Sequence, residues 1–241
     1  LIEAIGRTSD VSTQTALGRA AFGRGSAGVV QSLVDLSRST GGIDAVAAKL
    51  KDLGAVLVDP AELAAPPELG PAEIEVLLTE LKVYLNQYLG ARKADAHVHS
   101  LADAIAFNKE HAARELPIFG QEYFEQAQAK TSLTDKAYVA ARAKCLQITR
   151  ELLLDKVMAE HKLDAFVAAT NGPAGLIDLV NGDGGGSGVS CSTLPAVSGY
   201  PHVTVPGGQY RGLPVGLSFF GRPFSEGKLL GYAFAFEQAT R

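Results

Sequence analysis

The chain has 241 residues, enough for one full α/β domain or two small ones. Hydrophobic residues make up 46% and charged residues 20%, which is ordinary for a globular protein with a sizeable core. The net charge of −4 argues against binding to nucleic acid or to an anionic membrane surface, because there is no basic excess to neutralise phosphates.

Three local features of the sequence predict the cellular compartment, the absence of a membrane-spanning helix and the origin of the chain. They are the cysteines, the longest uncharged stretch and the first residue. Cys145 and Cys191 form no CxxC pair, so they predict neither a zinc site nor a disulfide framework, and we expect a cytoplasmic protein. Residues 184–210 lack charged side chains but are rich in Gly, Ser and Pro, so they predict no membrane-spanning helix. The chain begins at Leu1 and its single Met is Met158, which suggests a proteolytic product, a split subunit or an incomplete sequence.

The N-terminal quarter has the order helix, glycine, strand. Residues 1–20 are weakly patterned, and we expect residues 21–241 to form one domain. Apolar side chains recur at helical spacing over residues 28–39 and 43–53. Gly54 predicts a left-handed C-cap, and residues 55–58 predict a short buried strand. This order is typical of an α/β domain.

The middle of the chain is predicted to be helical. Apolar periodicity predicts a helix over residues 72–89 and a second over residues 101–115. A third helix is expected to begin after an N-cap at Thr134 and to continue to about residue 162.

The last third changes character. Residues 165–169, 202–205 and 215–220 predict strands, and residues 171–193 predict a long glycine-rich loop. Ser225 is expected to cap a final helix that ends at Thr240.

Six stretches carry a family resemblance through their order and spacing. They are residues 101–108 (LADAIAFN), 115–122 (ELPIFGQE), 170–174 (TNGPA), 178–183 (DLVNGD), 192–201 (STLPAVSGYP) and 213–221 (LPVGLSFFG). Together they resemble the C-terminal half of bacterial and fungal enzymes of the amidase-signature family, although no single stretch would suffice. The amidotransferase branch, which acts on charged tRNA, is an alternative that the middle region resembles less.

The resemblance implies a fold and a chemistry. The fold is α/β, with a mixed, twisted sheet and helices on both faces. The chemistry is hydrolysis of a carboxamide by a nucleophilic Ser, a second Ser on a cis peptide bond and a neutral Lys base, with backbone N–H groups holding the oxyanion. In the family these parts lie upstream of the stretches seen here, so we expect no catalytic residue in this chain. No metal or organic cofactor is implied.

Two segments of this chain resemble the catalytic parts that the family places upstream. Residues 184–190 (GGGSGVS) hold Ser187 and Ser190 among glycines, as a nucleophile loop does, but they follow a motif that the family places downstream. We interpret them as a packed or flexible loop. Lys51 resembles the family's Lys segment, but it closes an amphipathic helix, and we expect it on a solvated face.

Polar residues around the glycine-rich loop are the candidate substrate-binding groups that the resemblance implies. They are Thr170, Asn171, Pro173, Asp178, Asn181 and Asp183. For Asp178, Asn181 and Asp183 the alternative is a purely structural loop held by Asx turns, which Asn-Gly and Gly-Asp favour. His97 and His99 suggest a metal pair, but the segment lacks the third and fourth ligands that a metal site needs, so we expect no metal.

Three functional hypotheses follow. In the first, the chain is the C-terminal portion of an amidase, pairs with an N-terminal half, acts on a small-molecule or peptide amide, and is inactive alone. In the second, it is a non-catalytic binding or structural subunit, or a remnant of the amidase fold. In the third, it hydrolyses amides by itself through Ser187 or Ser190. A homo-oligomer is an alternative partner, because a half-sheet would expose apolar faces and unpaired strand edges.

Overall fold

The structure is a computed structural model that describes residues 43–59, 61–93, 95–175, 180, 190–210 and 212–240. The chain forms two compact units. The first comprises the part of the chain up to Leu63 and the part from Leu153 onward, and the second is Ala64–Leu152. The predicted boundary at residue 20 and the predicted helix over residues 28–39 lie outside the described residues.

The bounds of the elements in chain order agree largely with the sequence predictions. The helices are α1 (Ile43–Asp52), α2 (Leu69–Gly90), α3 (Leu101–Glu110), α4 (Ala112–Glu115), α5 (Glu122–Gln128), α6 (Lys136–Leu146), α7 (Asp155–Glu160), α8 (Thr193–Ser198) and α9 (Glu226–Thr240). A π-helical segment, Gln147–Leu154, joins α6 to α7. The strands are β1 (Phe166–Ala169), β2 (His202–Tyr210) and β3 (Leu213–Phe220).

A three-stranded antiparallel sheet in the order β1-β3-β2 is the centre of the first unit. One face packs Val205, Leu217 and Phe219 against α1 and α9. The other face packs Phe166 and Phe220 against α7 and its preceding residues. The expected α/β class, with helices on both faces of a sheet, is therefore confirmed.

The predicted strand over residues 55–58 is wrong. Gly54 ends α1 with φ +91°, as predicted, but the residues that follow form no strand. A strand needs a neighbouring backbone to satisfy its N–H and C=O groups, and in the described chain Ala55–Val58 pair with none. Val56 is 92% exposed, so this segment is not buried either.

The second unit is helical. Leu78 of α2, Leu101 of α3 and Ala127 of α5 form its buried cluster. Ser100 caps α3 by accepting a hydrogen bond from Asp103 N–H (3.1 Å), and Asp103 in turn accepts from His99 N–H (3.0 Å). The His99 and Ser100 hydrogen bonds hold the pKa of the Asp103 carboxyl below its usual value.

Several helix ends differ from their predictions. Asp135, not Thr134, caps α6, because its carboxylate accepts from Ala137 N–H (2.8 Å). The predicted helix over residues 101–115 is interrupted at His111, which leaves helical geometry with ψ +26°. The helices α5 and α8 were not predicted; α8 ends at Gly199 in the left-handed conformation (φ +72°).

Candidate functional site

Three hydroxyl side chains meet on one face of the sheet in the first unit. Ser218 lies in β3, Thr204 lies opposite it in β2, and Thr170 follows the last residue of β1. The Ser218 Oγ lies 2.6 Å from Thr170 Oγ1 and 3.1 Å from Thr204 Oγ1. Ser218 is fully buried, so these contacts satisfy a hydroxyl that has no access to water.

Strand periodicity brings the hydroxyl cluster together. Ser218 pairs with Ala168 in β1 and with Thr204 in β2. Side chains two residues apart on a strand share a face, so Thr170 lies on the face of Ala168 and diagonal to Ser218. Thr170 N–H donates to the Gly216 carbonyl (2.9 Å), which continues the β1–β3 pairing one residue past β1.

Gly216 makes room for the hydroxyl cluster. A Cβ at this position would lie 2.6 Å from Thr170 Oγ1 and 2.8 Å from Thr204 Cγ2. Both distances are shorter than ordinary van der Waals contact, so any side chain here would force the two threonines apart.

Cys191 and His202 flank the cluster. The Cys191 Sγ lies 3.9 Å from His202 Nε2 and 3.8 Å from the Thr170 carbonyl, to which Cys191 N–H also donates (3.3 Å). Burial raises the pKa of the Cys191 thiol, opposed by a weaker hydrogen bond to Ser218. Burial lowers the pKa of the His202 imidazole. Both shifts favour the neutral forms, whereas an activated thiolate–imidazolium pair requires a lowered thiol pKa.

The structure places half of the predicted site residues. Thr170 belongs to the hydroxyl cluster, Asn171 forms an isolated antiparallel bridge with Ser190, and Pro173 is half-buried in the same loop. The Asn171 Oδ1 accepts a hydrogen bond from the N–H of the next residue, Gly172 (3.0 Å). The other candidates, Asp178, Asn181 and Asp183, lie outside the described residues.

Of the two segments that resemble the family's catalytic parts, the structure describes Ser190 and Lys51. The Ser190 Oγ lies 2.7 Å from Ser192 Oγ and accepts from Ser192 N–H at 3.3 Å. Within the described ranges, no histidine, lysine or carboxylate forms a hydrogen bond with Ser190. Ser187 lies outside those ranges. Lys51 is exposed in the last turn of α1, which confirms the solvated helix face predicted for it.

The described residues at the end of β1 can form hydrogen bonds to a ligand, but they do not contain a complete hydrolytic centre. Among the described residues of the hydroxyl cluster and at Ser190, no hydroxyl forms a hydrogen bond with a histidine, lysine or carboxylate that could act as the general base of serine hydrolysis. Over the same residues, no three His, Cys, Asp or Glu side chains converge as metal ligands. The chemistry available at the end of β1 is hydrogen bonding by the Thr170 hydroxyl and by the backbone of residues 171–175.

Sequence reasoning missed Thr204, Ser218 and the contact between Cys191 and His202. A signal was present for two of them. Thr204 lies between Val203 and Val205, and Ser218 lies between Leu217 and Phe219, so each is a hydroxyl between apolar neighbours. Ser218 is buried, and a buried hydroxyl needs a partner, which points to a cross-strand pair.

In the described parts of the chain, no helix is both long and apolar enough to cross a bilayer. No family model matches the chain. It is 39% identical over 169 residues to a probable amidase of Arabidopsis thaliana, a match that covers 68% of this chain and 28% of the relative.

Solved structures of amidases are also similar to this chain over part of their length. The native peptide amidase of Stenotrophomonas maltophilia shares 40% identity and a TM-score of 0.70, over 83% of this chain and 39% of that enzyme. A bacterial aryl acylamidase of the amidase-signature family shares the fold, with a TM-score of 0.52 and 17% identity over 87% of this chain. The chain thus spans between about a quarter and two fifths of the length of these relatives. The identity and the shared fold together place this chain in the amidase-signature family.

Proposed function

We propose that the chain is the C-terminal portion of an amidase that hydrolyses a carboxamide C–N bond to an acid and ammonia or an amine. The observation that carries this proposal is the 40% identity and common fold with the Stenotrophomonas peptide amidase over 83% of the chain. Because that relative is a peptide amidase, peptide amides are the first substrates to test.

The proposed mechanism uses a Ser, a cis-Ser and a Lys that lie upstream of this chain. The neutral Lys takes a proton through the cis-Ser, the nucleophilic Ser attacks the amide carbonyl, and backbone N–H groups stabilise the oxyanion. The described part of this chain supports that division, because Ser190 bonds to Ser192 and to no base.

The proposed role of this chain is to supply one wall of the substrate pocket. Thr170, Asn171 and Pro173 follow β1, where loops of α/β sheets commonly bind ligands. The buried Ser218 bonds to the Thr170 hydroxyl and holds its orientation. We include Asp178, Asn181 and Asp183 in this wall on the family resemblance alone. The mechanism needs no metal or cofactor, and we propose a cytoplasmic location from the two unpaired cysteines.

The test is an amide panel with two protein samples. The purified chain alone is assayed against peptide amides, aryl amides and short aliphatic amides by release of ammonia or amine. It is then assayed together with the portion of the Stenotrophomonas peptide amidase outside the matched region. We expect no turnover by the chain alone and turnover by the pair.

Three outcomes would contradict this function. Turnover by the isolated chain that is lost in Ser187→Ala or Ser190→Ala would mean that the chain carries its own nucleophile. A stable pair without turnover on any amide would favour the second candidate, a non-catalytic subunit of amidase fold. A homo-oligomer that hydrolyses amides alone would also exclude the need for an N-terminal portion.

A further inference from the structure

Two connecting segments meet at one end of the sheet. Phe166 in β1 pairs with Phe220 in β3, so the residues that precede β1 and those that follow β3 lie at the same end. Gly221 shows how close they are, because a Cβ there would lie 3.5 Å from the Asp164 carbonyl oxygen and 3.3 Å from Ser225 Oγ. This end of β1 is opposite to the one that leads into the candidate binding loop.

Both segments line a cavity of about 630 Å³ that is rich in positive charge. Its charged side chains are Lys162, Asp164, Arg222 and Lys228. The Lys228 Nζ lies 3.3 Å from Asp164 Oδ1, so these two form an ion pair. Within the described ranges, the Lys162 ammonium and the Arg222 guanidinium form no ion pair or hydrogen bond. The lining therefore has a net charge of +2, although the chain as a whole has −4.

The first turn of α9 adds backbone donors to the same cavity. The Ser225 carbonyl accepts from Leu229 N–H (3.1 Å), and the Ser225 hydroxyl donates to the Arg222 carbonyl (2.6 Å). Over the described residues, the N–H groups of Gly227 and Lys228 bond to no acceptor, and both residues line the cavity. Free N–H groups in this position favour an anion, so they act in the same direction as the two unpaired cations.

Two residues of the cavity have an uncommon backbone conformation. In the described chain, Lys162 (φ +52°) and Phe224 (φ +61°) are the residues other than glycine with positive φ, and both line this cavity. Such conformations are rare for large side chains and concentrate where ligands bind. Phe224 is also 95% exposed, so it offers a free aromatic surface in a cavity lined by cations.

We propose that this cavity binds a small phosphate monoester that carries a planar ring. Such a group has a charge of about −1.5 to −2 near neutral pH and three acceptor oxygens, which match the net charge of the lining and its donors. The Arg222 guanidinium donates to two phosphate oxygens, the Lys162 ammonium neutralises the remaining charge, and the ring stacks on Phe224. The cavity has the size of small-ligand pockets, which are about 300–1,000 Å³.

A carboxylate fits this lining less well. It carries one charge and two oxygens, so it would leave one of the two unpaired cations without a partner. The phosphate site does not depend on the proposed function, because no residue of the candidate binding loop takes part in it.

Calorimetric titration of the purified chain with phenyl phosphate tests the proposal. Inorganic phosphate, which lacks the ring, and benzoate, which carries a single charge, are the comparison ligands. Phenyl phosphate should bind at one site, at least about threefold more tightly than inorganic phosphate because of the ring. It should bind at least about tenfold more tightly than benzoate because of the second charge. The backbone amide NMR signals of Gly227 and Lys228 should shift during the titration.

Three variants separate the charge from the ring. Arg222→Gln should weaken the binding of both phosphate ligands about tenfold or more. Phe224→Gly suits the left-handed backbone, so it should fold normally and remove the advantage of phenyl phosphate over inorganic phosphate. Lys51→Gln removes an exposed charge outside the cavity and is the matched control. It should bind phenyl phosphate within about twofold of the unmodified chain, because a screened surface charge contributes little.

Four results would overturn the proposal. They are the absence of saturable binding of phenyl phosphate, equal weakening in Arg222→Gln and Lys51→Gln, binding of benzoate as tight as that of phenyl phosphate, and an unchanged advantage of phenyl phosphate in Phe224→Gly. Binding that leaves the Gly227 and Lys228 amide signals unmoved would place the ligand elsewhere and overturn it as well.

Discussion

The Thr170 hydroxyl lies 2.6 Å from the Ser218 hydroxyl, although 48 residues separate them in the sequence. Thr204, opposite Ser218 in β2, completes the hydroxyl cluster from a third strand position. The contact couples the first residue of the candidate binding loop to the buried centre of the sheet. Changes at Ser218 should therefore affect both stability and the orientation of Thr170.

Ser218→Ala should lower the free energy of unfolding by about 0.5–1.5 kcal/mol, because it removes the hydrogen bonds that Ser218 makes with the two threonine hydroxyls and leaves only their mutual 3.5 Å contact within the cluster. Combining it with Thr204→Val should cost less than the sum of the two single changes, since both remove the same hydrogen bond. Denaturant unfolding of the two single variants and the double variant measures this coupling. Strict additivity would show that the hydroxyls do not interact.

Gly216→Ala should destabilise the first unit by about 1–3 kcal/mol, because the new methyl group would overlap Thr170 and Thr204. Gly231→Ala is the matched control. It lies inside α9 with no atom within 4 Å of the added Cβ, so it should stabilise by about 0.5–1 kcal/mol. Thermal melts of both variants give the comparison, and equal effects would contradict the predicted clash.

Stability should depend on the protonation of His202. Burial lowers the folded-state pKa of this imidazole below its usual 6.5, so the unfolded chain binds more protons between the two values. The contribution of His202 to the free energy of unfolding should therefore be constant above neutral pH and should fall as the pH drops through about 6.5 toward the folded-state pKa.

The effect of His202 protonation is isolated by measuring the free energy of unfolding across this pH range in the unmodified chain and in His202→Gln. The loss between neutral pH and the folded-state pKa should be smaller in the variant. Asp103 and Asp135 affect the free energy of unfolding at more acidic pH. Hydrogen bonds lower their folded-state pKa values from 3.8, so the stabilisation they provide is lost only below that value. An unchanged profile in His202→Gln would contradict the assignment.

Lys82 should matter more to the second unit than an exposed lysine does. Its ammonium donates to the carbonyl oxygens of Gln128 (2.7 Å) and Lys130 (2.5 Å). Lys82→Met keeps the apolar stem and removes both bonds, at a cost of about 1.5–3 kcal/mol. Lys109→Met removes an exposed ion pair with Glu125 and should cost about 0–1 kcal/mol. Chemical denaturation of the two variants checks the difference, and equal losses would show that the carbonyl contacts contribute little.

Much of the secondary structure could be predicted because its signals are local. The apolar spacing predicted a helix over residues 72–89, and α2 spans Leu69–Gly90. Gly54 was predicted to end α1 in the left-handed conformation, and it does. These signals extend over a few residues, so neither needs knowledge of the rest of the chain.

One error falls where an element depends on a partner distant in sequence. An apolar run such as residues 55–58 forms a strand only beside another backbone, and the described chain offers none at that position. The short helix α8, which follows the glycine-rich loop, was overlooked although its stop signal at Gly199 is local.

By itself, the sequence determined the class of fold, the positions of the long helices and the amidase-signature resemblance, because periodicity and motif spacing are properties of neighbouring residues. It also singled out Thr170, Asn171 and Pro173 as one loop. Only the tertiary structure decided that Thr170 meets Thr204 and Ser218, and that β1, among the described strands, pairs with β3 alone. Those features arise from strand order and register, which join residues far apart in the chain and follow from no local pattern.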